Sequence, residues 1–299
     1  MIKSFDELLT NIKHQKNPKT VIIAAAQSES VLEAAVMAKK EEIANCFLVG
    51  DKKTIQKILE DHYPAFKTAF QIEDTGTNLQ QACDRAVELV HEKKGELILK
   101  GKADTALLLK SVLEKEKGLA TSELMSDILI YETAERLVLL SDGGIVLYPG
   151  LKEKISIINN AVKVAHALGY SLPKVALLAA VETVNPKMTC TIDAAIITKM
   201  NQRQQISNCI IDGPLALDNA IDLDSVRKKG IESPVAGLAD ILIGPNIESV
   251  NIFAKALTYY AKFRVAHVVM GSKVPILIAS RADNAETKML SIALGIQCT

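Results

Sequence analysis

Residues 21–49 read VIIAAAQSESVLEAAVMAKKEEIANCFLV, and this stretch decides the predicted fold. Val21–Ala26 and Cys46–Val49 are short, continuous apolar runs, and Ser30–Asn45 between them has the apolar spacing of a helix. Strands that are apolar at every position, rather than at every second one, are typical of parallel sheets covered on both faces. The stretch therefore predicts a β–α–β unit.

The same alternation continues along most of the chain. Further strands are predicted at Ala69–Ile72, Leu97–Leu99, Leu137–Leu140, Val175–Ala180, Asn208–Ile211, Asp240–Ile243, Val265–Met270 and Pro275–Ala279. Further helices are predicted at Asn78–Lys93, Leu151–Leu168, Met188–Gln204 and Glu248–Ala261. We expect an α/β protein with mostly parallel sheets flanked by helices. The 299 residues favour two domains, and the β–α rhythm pauses at Ser122–Arg136, where we expect a boundary.

Composition excludes several classes of protein. Lys plus Arg and Asp plus Glu are both 35, and proteins that hold nucleic acid are usually basic, so no nucleic-acid partner is expected. The first residues contain no apolar signal segment, and apolar runs such as Val175–Val181 are too short to span a bilayer. Five scattered cysteines without a Cys-x-x-Cys spacing predict a reduced, cytoplasmic protein.

Several common catalytic motifs are missing from the sequence. It contains no Gly-x-Gly-x-x-Gly, no Gly-x-Ser-x-Gly and no pair of histidines at helical spacing. Gly95–Lys102 approaches a phosphate-binding loop, but its glycines are one residue too far apart and Ala103 replaces the hydroxyl residue. We therefore expect no metal site.

The strongest polar cluster follows the predicted strand Pro275–Ala279. Ser280, Arg281 and Asp283 come just before a predicted helix, Ala285–Leu294. Free N–H groups and the positive dipole at a helix N-terminus, with a bidentate arginine beside them, favour a phosphate site. Alternatively, Ser280 or Asp283 simply caps the helix.

Polar residues follow other predicted strands as well. Lys100, Lys102 and Thr105 come after one strand, with a solvated turn as the alternative. Asp142 and Asp212 each follow a strand, with a tight turn that bonds the Asp side chain to the backbone as the alternative.

Two further positions add to the pattern. Pro214 suits the first turn of a helix. Asn246, Asn251 and Lys255 belong to one long helix, on which Asn251 and Lys255 share a face, although a capped surface helix looks the same. Because open α/β folds bind ligands beyond the carboxyl ends of their strands, we expect these groups in an interdomain cleft.

Six segments, in order, resemble the phosphate acetyl/butyryltransferase family. They are Ile98–Thr105, Leu140–Asp142, Pro173–Leu178, Asp212–Asp218, Ala239–Asn246 and Ser280–Asp283. The resemblance covers nearly the whole chain, and the butyryl branch fits best in length and in its Ser-Arg-x-Asp motif. It implies two α/β domains, 1–132 plus 269–299 and an inserted 133–268, with the active site in the cleft.

The resemblance also implies the activity: reversible transfer of a butyryl or branched short-chain acyl group between coenzyme A and inorganic phosphate. It further implies a reaction without a covalent enzyme intermediate and without a permanently bound cofactor. The resemblance also implies a homo-oligomer. One alternative is a phosphate acetyltransferase that acts on acetyl-CoA. Another is a metal-dependent decarboxylating hydroxyacid dehydrogenase, with Asp212, Asp218 and Asp240 as metal ligands. A third is a protein that binds acyl phosphate or CoA without turnover.

Roles for single residues follow from the same resemblance. Arg281 would pair with the phosphate, and Ser280 or nearby N–H groups would hold the oxyanion. In the acetyl-transferring relatives, an aspartate six or seven positions after the serine of the Ser-Arg motif acts as the general base. This chain has no aspartate at that distance from Ser280, so Asp283 and Glu286 are the candidate bases. The substrate-binding candidates are Lys100, Lys102, Thr105, Asp142, Asp212, Asn246, Asn251, Lys255 and Tyr259.

Two departures from the relatives bear on the acyl chain. Tyr259 stands near the position at which relatives carry an arginine on the long helix. The loss of that positive charge and the gain of apolar bulk suit a longer acyl chain. Val250 stands where relatives often have glycine before Asn251, which would narrow the pocket there.

Overall fold

The computed structural model describes residues 1–15, 17–280 and 282–299, and it divides into two compact units. The first unit comprises Phe5–Glu123 and Val265–Thr299, and the second comprises Met1–Ser4 and Leu124–Arg264. The chain thus leaves the first unit after Glu123 and returns to it at Val265. The domain boundaries expected at 132/133 and 268/269 remain a prediction.

Eleven strands and eleven α-helices are described. The strands are β1 Thr20–Ala24, β2 Asn45–Gly50, β3 Gln71–Asp74, β4 Leu97–Lys100, β5 Ser126–Glu132, β6 Leu137–Ser141, β7 Lys174–Leu178, β8 Ile210–Leu215, β9 Ile241–Ile243, β10 Val265–Met270 and β11 Ile276–Leu277. The helices are α1 Phe5–Lys13, α2 Glu29–Lys40, α3 Lys52–His62, α4 Leu79–His91, α5 Thr105–Val112, α6 Leu151–Ala167, α7 Thr189–Gln202, α8 Leu217–Ile221, α9 Leu223–Lys229, α10 Ile247–Lys255 and α11 Ala285–Gln297. Pro64–Phe66 forms a 3₁₀ turn and Ala256–Tyr260 a π-helical turn.

The first unit is built on a sheet with the order β3-β2-β1-β4-β11-β10. Its pairs are parallel except β10 with β11. Val21–Ala24 of β1 are fully buried, as expected for a strand covered on both faces. Helix α11 is buried at every position from Ala285 to Ile296 except Glu286.

The second unit is built on the strands β5-β6-β9-β7-β8. Here β5 and β6 are antiparallel, and the remaining pairs are parallel. Helix α6 carries the buried Asn160, whose Nδ2 donates to Ser126 Oγ at 2.9 Å and to the Leu124 carbonyl at 2.8 Å. Both units therefore confirm the predicted α/β class with mostly parallel sheets.

The chain leaves the first unit within the segment Ser122–Arg136, where we expected a boundary. The same segment contains the buried strand β5, which the sequence did not predict and which joins β6 through a short turn without an intervening helix. One local expectation is wrong: Pro214 lies inside β8 and not at the start of a helix, since α8 begins at Leu217. β8 is the last strand of its sheet, and an edge strand tolerates the missing proline N–H.

Among the described residues, no helix is both long enough and apolar enough to cross a lipid bilayer.

Candidate active site

In the first unit, two predicted site segments follow neighbouring strands. β4 and β11 are parallel partners, with Leu99 beside Leu277. The carboxyl ends of parallel strands lie at the same edge of a sheet, where open α/β folds bind ligands. The Lys100–Thr105 turn and the turn at residues 280–283 therefore leave the sheet at the same edge.

The turn after β4 contains two lysines, of which one is buried and the other is exposed. Lys100 is only 4% exposed, and its Nζ donates to the carbonyl oxygens of Gly101 at 3.4 Å and Ala103 at 3.1 Å. A Cβ on Gly101 would lie 2.2 Å from the Ala25 carbonyl oxygen, so only glycine fits at this contact. Lys102 donates its backbone N–H to the same carbonyl at 2.8 Å and exposes its side chain, and Thr105 begins α5. The side chain of Lys102 is thus open to solvent, whereas that of Lys100 is buried in the turn.

The turn after β11 is held by its own side chains. Ser280 N–H donates to Asp283 Oδ2 at 2.7 Å, and Ala282 N–H donates to Ser280 Oγ at 3.3 Å. Neither Ser280 nor Asp283 caps α11. The N-cap is Asn284, whose Oδ1 accepts from the Thr287 N–H at 2.8 Å. The alternative in which Ser280 or Asp283 caps the helix is therefore wrong. Arg281 lies outside the described residues.

The two candidate bases differ in their surroundings. The half-buried Asp283 already accepts the Ser280 N–H, whereas Glu286 lies half-buried in the first turn of α11. Both stand within six residues of Ser280. The identity of the base stays a prediction.

Lys288 was missed by the sequence analysis as a site residue. It is 2% exposed, and its Nζ donates to the Asp283 carbonyl oxygen in the turn. Burial lowers the pKa of Lys288, while the carboxylates of Asp283 and Glu33 oppose that change. The signal in the sequence is a lysine set in a mostly apolar helical run, with Met289–Ile296 following it directly.

In the second unit, β6 and β9 are parallel neighbours, and Gly244 N–H donates to the Ser141 carbonyl at 3.0 Å. Asp142 and Asn246 therefore follow adjacent strand ends. Asn246 Oδ1 accepts from Ser249 N–H at 3.0 Å and caps α10, as the surface-helix alternative expected. Asn251 Nδ2 donates to the Gly143 carbonyl at 2.9 Å and ties α10 to the turn after β6.

The Asp142 carboxylate organises that turn. It is 4% exposed and accepts the backbone N–H groups of Gly144 at 2.8 Å, Ile145 at 3.0 Å and Val146 at 3.0 Å. Burial first, and then the nearby Asp127 carboxylate, raise the pKa of Asp142 to about 6, against the lowering by the three N–H groups. Both oxygens are thus engaged with the backbone, as the tight-turn alternative expected.

The other predicted residues of this unit lie on β8 and at the end of α10. Asp212 lies within β8 beside Ala176, and its Oδ1 accepts from the Gly213 N–H at 2.9 Å. Lys255 Nζ lies 5.9 Å from the Tyr259 ring centroid, a cation–π contact on the exposed end of the helix. Tyr259 follows Asn251 by eight residues, about 12 Å along a helix.

Val250 is buried against the turns that contain Gly143 and Gly244. It is 3% exposed. A Cβ on Gly244 would lie 2.0 Å from Val250 Cγ2, and one on Gly143 would lie 3.0 Å from Val250 Cγ1. The two glycines therefore make room for this side chain.

The three aspartates that the dehydrogenase alternative would use as metal ligands each bind a different group of the protein. Asp240 pairs with Arg136 at 2.7 Å and accepts the Lys174 N–H at 2.8 Å, and Asp218 pairs with Lys229 at 3.1 Å. In the part of the chain that the structure describes, no three His, Cys, Asp or Glu side chains are arranged to hold a metal ion.

Comparison with known proteins gives phosphate acetyl- and butyryltransferases as relatives. Residues 57–296 match the family model described as "Phosphate acetyl/butaryl transferase". The chain is 46% identical to the phosphate butyryltransferase of Clostridium acetobutylicum, over 99% of this chain and 98% of that protein. It is 42% identical to the phosphate acetyltransferase of Thermotoga maritima, over 97% of this chain and 98% of the relative.

A solved structure is similar as well. The crystal structure of a branched-chain phosphotransacylase from Enterococcus faecalis V583 superposes with a TM-score of 0.83 at 30% identity. The match covers 94% of this chain and 98% of that chain.

Proposed function

The chain belongs to the phosphate acetyl/butyryl transferase family, and we propose that it transfers a short-chain acyl group reversibly between coenzyme A and inorganic phosphate. The products in one direction are an acyl phosphate and free CoA. The observation that carries this function is the 46% identity to a phosphate butyryltransferase over nearly the full length of both chains.

Butyryl or branched short-chain CoA is the proposed acyl donor. The 46% identity to a phosphate butyryltransferase and the likeness to a branched-chain phosphotransacylase support it. Acetyl-CoA is the second candidate, because a phosphate acetyltransferase is 42% identical over a similar length.

The phosphate is proposed to bind at the turn of residues 280–283. Ser280 is exposed there, and the exposed Lys102 follows the neighbouring strand at the same edge of the sheet. Arg281 supplies a guanidinium that pairs bidentately with phosphate oxygens. Two cations and a hydroxyl suit a phosphate that gains negative charge as it leaves the acyl group.

The reaction is a direct displacement at the acyl carbonyl. Towards acyl-CoA, the thiol sulfur forms a bond to the carbonyl carbon, the bond from that carbon to the phosphate oxygen breaks, and the thiol proton passes to a carboxylate. A free thiol is mostly protonated at neutral pH, so Asp283 or Glu286 would serve as the base. Alignment of the two substrates alone can remove roughly 7–11 kcal/mol of the barrier.

A homo-oligomer is proposed, and we name the supporting surface the α10 patch: Leu147, Tyr148 and Ile252. Their exposed fractions are 61%, 70% and 69%. Ile247 N–H donates to the Leu147 carbonyl at 3.0 Å, and Tyr148 contacts Glu248 in the first turn of α10. Ile252 follows Glu248 by four residues and shares its face of the helix. Clustered large apolar side chains on a surface are typical of protein contacts. The unpaired thiols support a reducing cytoplasm.

The function is tested by thiol release from butyryl-CoA, with and without phosphate, beside acetyl-CoA. Phosphate-dependent release that favours butyryl-CoA is expected. A preference for acetyl-CoA would keep the reaction and overturn the chain length. Turnover that requires magnesium and NAD would favour the dehydrogenase alternative, and tight CoA binding without turnover would favour a binding protein.

A further inference from the structure

Lys288 places an ionisable amine where the fold makes a positive charge unfavourable. It is 2% exposed and stands near the start of α11, which is mostly apolar from Met289 to Ile296. Burial of an ammonium costs free energy, and the positive end of the helix dipole adds to that cost. A methionine or leucine at this position would avoid both penalties while filling a similar volume.

The ammonium is directed at the turn of residues 280–283. Its Nζ donates to the Asp283 carbonyl oxygen, in the turn that β11 places at the edge of the sheet. The Asp283 carboxylate is engaged elsewhere, since Oδ2 accepts from the Ser280 N–H at 2.7 Å. Asp283 thus accepts two hydrogen bonds: its carboxylate accepts from Ser280, and its backbone carbonyl accepts from Lys288.

No carboxylate among the described residues cancels the charge by an ion pair. Burial lowers the pKa of Lys288, and the carboxylates of Asp283 and Glu33 oppose that change without forming an ion pair with Nζ. A buried charge with few waters around it keeps a longer-ranged field than an exposed one. The field of Lys288 therefore reaches through the turn.

We propose that Lys288 is a positioning residue for the phosphate group of the substrate. Its ammonium fixes the Asp283 carbonyl, and with it the carboxylate that accepts the Ser280 N–H. It also adds positive potential near the place where phosphate is proposed to bind. Lys288 does not contact the phosphate itself. The inference rests on the proposed acyl transfer to phosphate.

Lys288→Met tests the role of the charge, because methionine keeps most of the volume and the unbranched shape. The KM for phosphate is expected to rise by about tenfold, the order of effect of one poorly screened charge, while the KM for butyryl-CoA changes less than about twofold. Lys53→Met is the matched control: it removes the same charge from the same unit at an exposed position of α3 and should leave both constants unchanged.

Chemical rescue separates charge from packing. Lys288→Ala leaves a buried space, and added ethylammonium should lower its KM for phosphate towards the wild-type value, whereas neutral 1-propanol should not. This arm remains decisive where Lys288→Met does not fold.

Three results would overturn the inference. They are an unchanged phosphate KM in Lys288→Met, an equal rise in both KM values, or equal rescue by ethylammonium and 1-propanol. A wild-type protein that releases no thiol in response to phosphate would instead remove the proposed function, so the two failures are distinguishable.

Discussion

The side chains that matter most at the candidate site act on backbone turns. Asp142 holds three N–H groups after β6, Asn251 holds the Gly143 carbonyl, and Lys288 holds the Asp283 carbonyl. Asp142 can be singled out from the sequence because it follows a predicted strand, and Asn251 because it shares a helix face with Lys255. Lys288 and Asp127 cannot be singled out in this way, since their burial is created by strands and helices distant along the chain.

Asp142→Asn tests the electrostatics of that turn. Burial and Asp127 raise the pKa of Asp142 to about 6, so the folded protein binds this proton more tightly than the unfolded chain, whose carboxyl has a pKa near 3.8. Between those pH values the folded form is the more protonated, and stability contributed by this group falls as pH rises. Relative to Asp142→Asn, the wild type should lose on the order of 2–3 kcal/mol of unfolding free energy from pH 4 to pH 7.

Urea unfolding at several pH values measures this difference. The comparison with Asp142→Asn removes the titration of the other carboxyl groups, which both proteins share. A wild type that gains stability over the variant as pH rises would show that the three N–H bonds outweigh burial and Asp127.

Asp283→Asn and Glu286→Gln separate the two candidate bases. Each change keeps the shape of the side chain, and the amide oxygen that Asp283→Asn introduces can still accept the Ser280 N–H. Loss of the base should lower kcat by about 10²-fold or more and remove the acidic limb of the pH–rate profile, while the other variant stays near wild type. Equal, mild effects of both changes would mean that the base lies elsewhere.

At the scale of elements, continuous apolar runs were sufficient to predict ten of the eleven described strands, with ends shifted by a few residues. β5 escaped because it pairs antiparallel with β6 through a short turn, and a search for strands separated by helices passes over such a hairpin. Pro214 misled for a related reason: a proline that suits a first helical turn suits an edge strand equally well.

The junction of β9 and α10 depends on one contact between two elements. Because Gly244 leaves room for Val250 Cγ2, Gly244→Ala should destabilise the protein by about 1–3 kcal/mol. In a Val250→Ala background the nearest side-chain atom is Cβ, at 3.5 Å from the added methyl, and most of that cost should disappear. Denaturant unfolding of the four proteins gives a coupling free energy, expected at about 1 kcal/mol or more. Additive effects would show that the added methyl is accommodated by movement elsewhere.

At the scale of the whole molecule, the α/β class follows from the repeated β–α rhythm, and two units are expected from the chain length and from the pause in that rhythm. The strand order does not: β11 pairs with β4 although most of the chain lies between them, and nothing local specifies that pairing. Order within a sheet is decided by long-range packing. The boundaries at 132/133 and 268/269, which rest on the family resemblance, likewise remain to be tested.

The proposed homo-oligomer makes a prediction at this scale. Ile252→Asp places a charge in the middle of the α10 patch and should shift the protein to a smaller species in sedimentation velocity experiments, because burial of an unpaired carboxylate is costly. Leu113→Asp, at a side chain that is 51% exposed in the first unit, is the matched control and should not change the assembly. A wild type that sediments as a monomer would contradict the proposal.

Transfer of the acyl group from coenzyme A to phosphate is tested by identifying the product. Purified protein, butyryl-CoA and inorganic phosphate are mixed, and ³¹P NMR follows the phosphorus species while a thiol reagent counts free CoA. Butyryl phosphate and free thiol are expected in equal amounts. Thiol released without acyl phosphate, as in simple hydrolysis, or no release at all, would contradict the proposed acyl transfer.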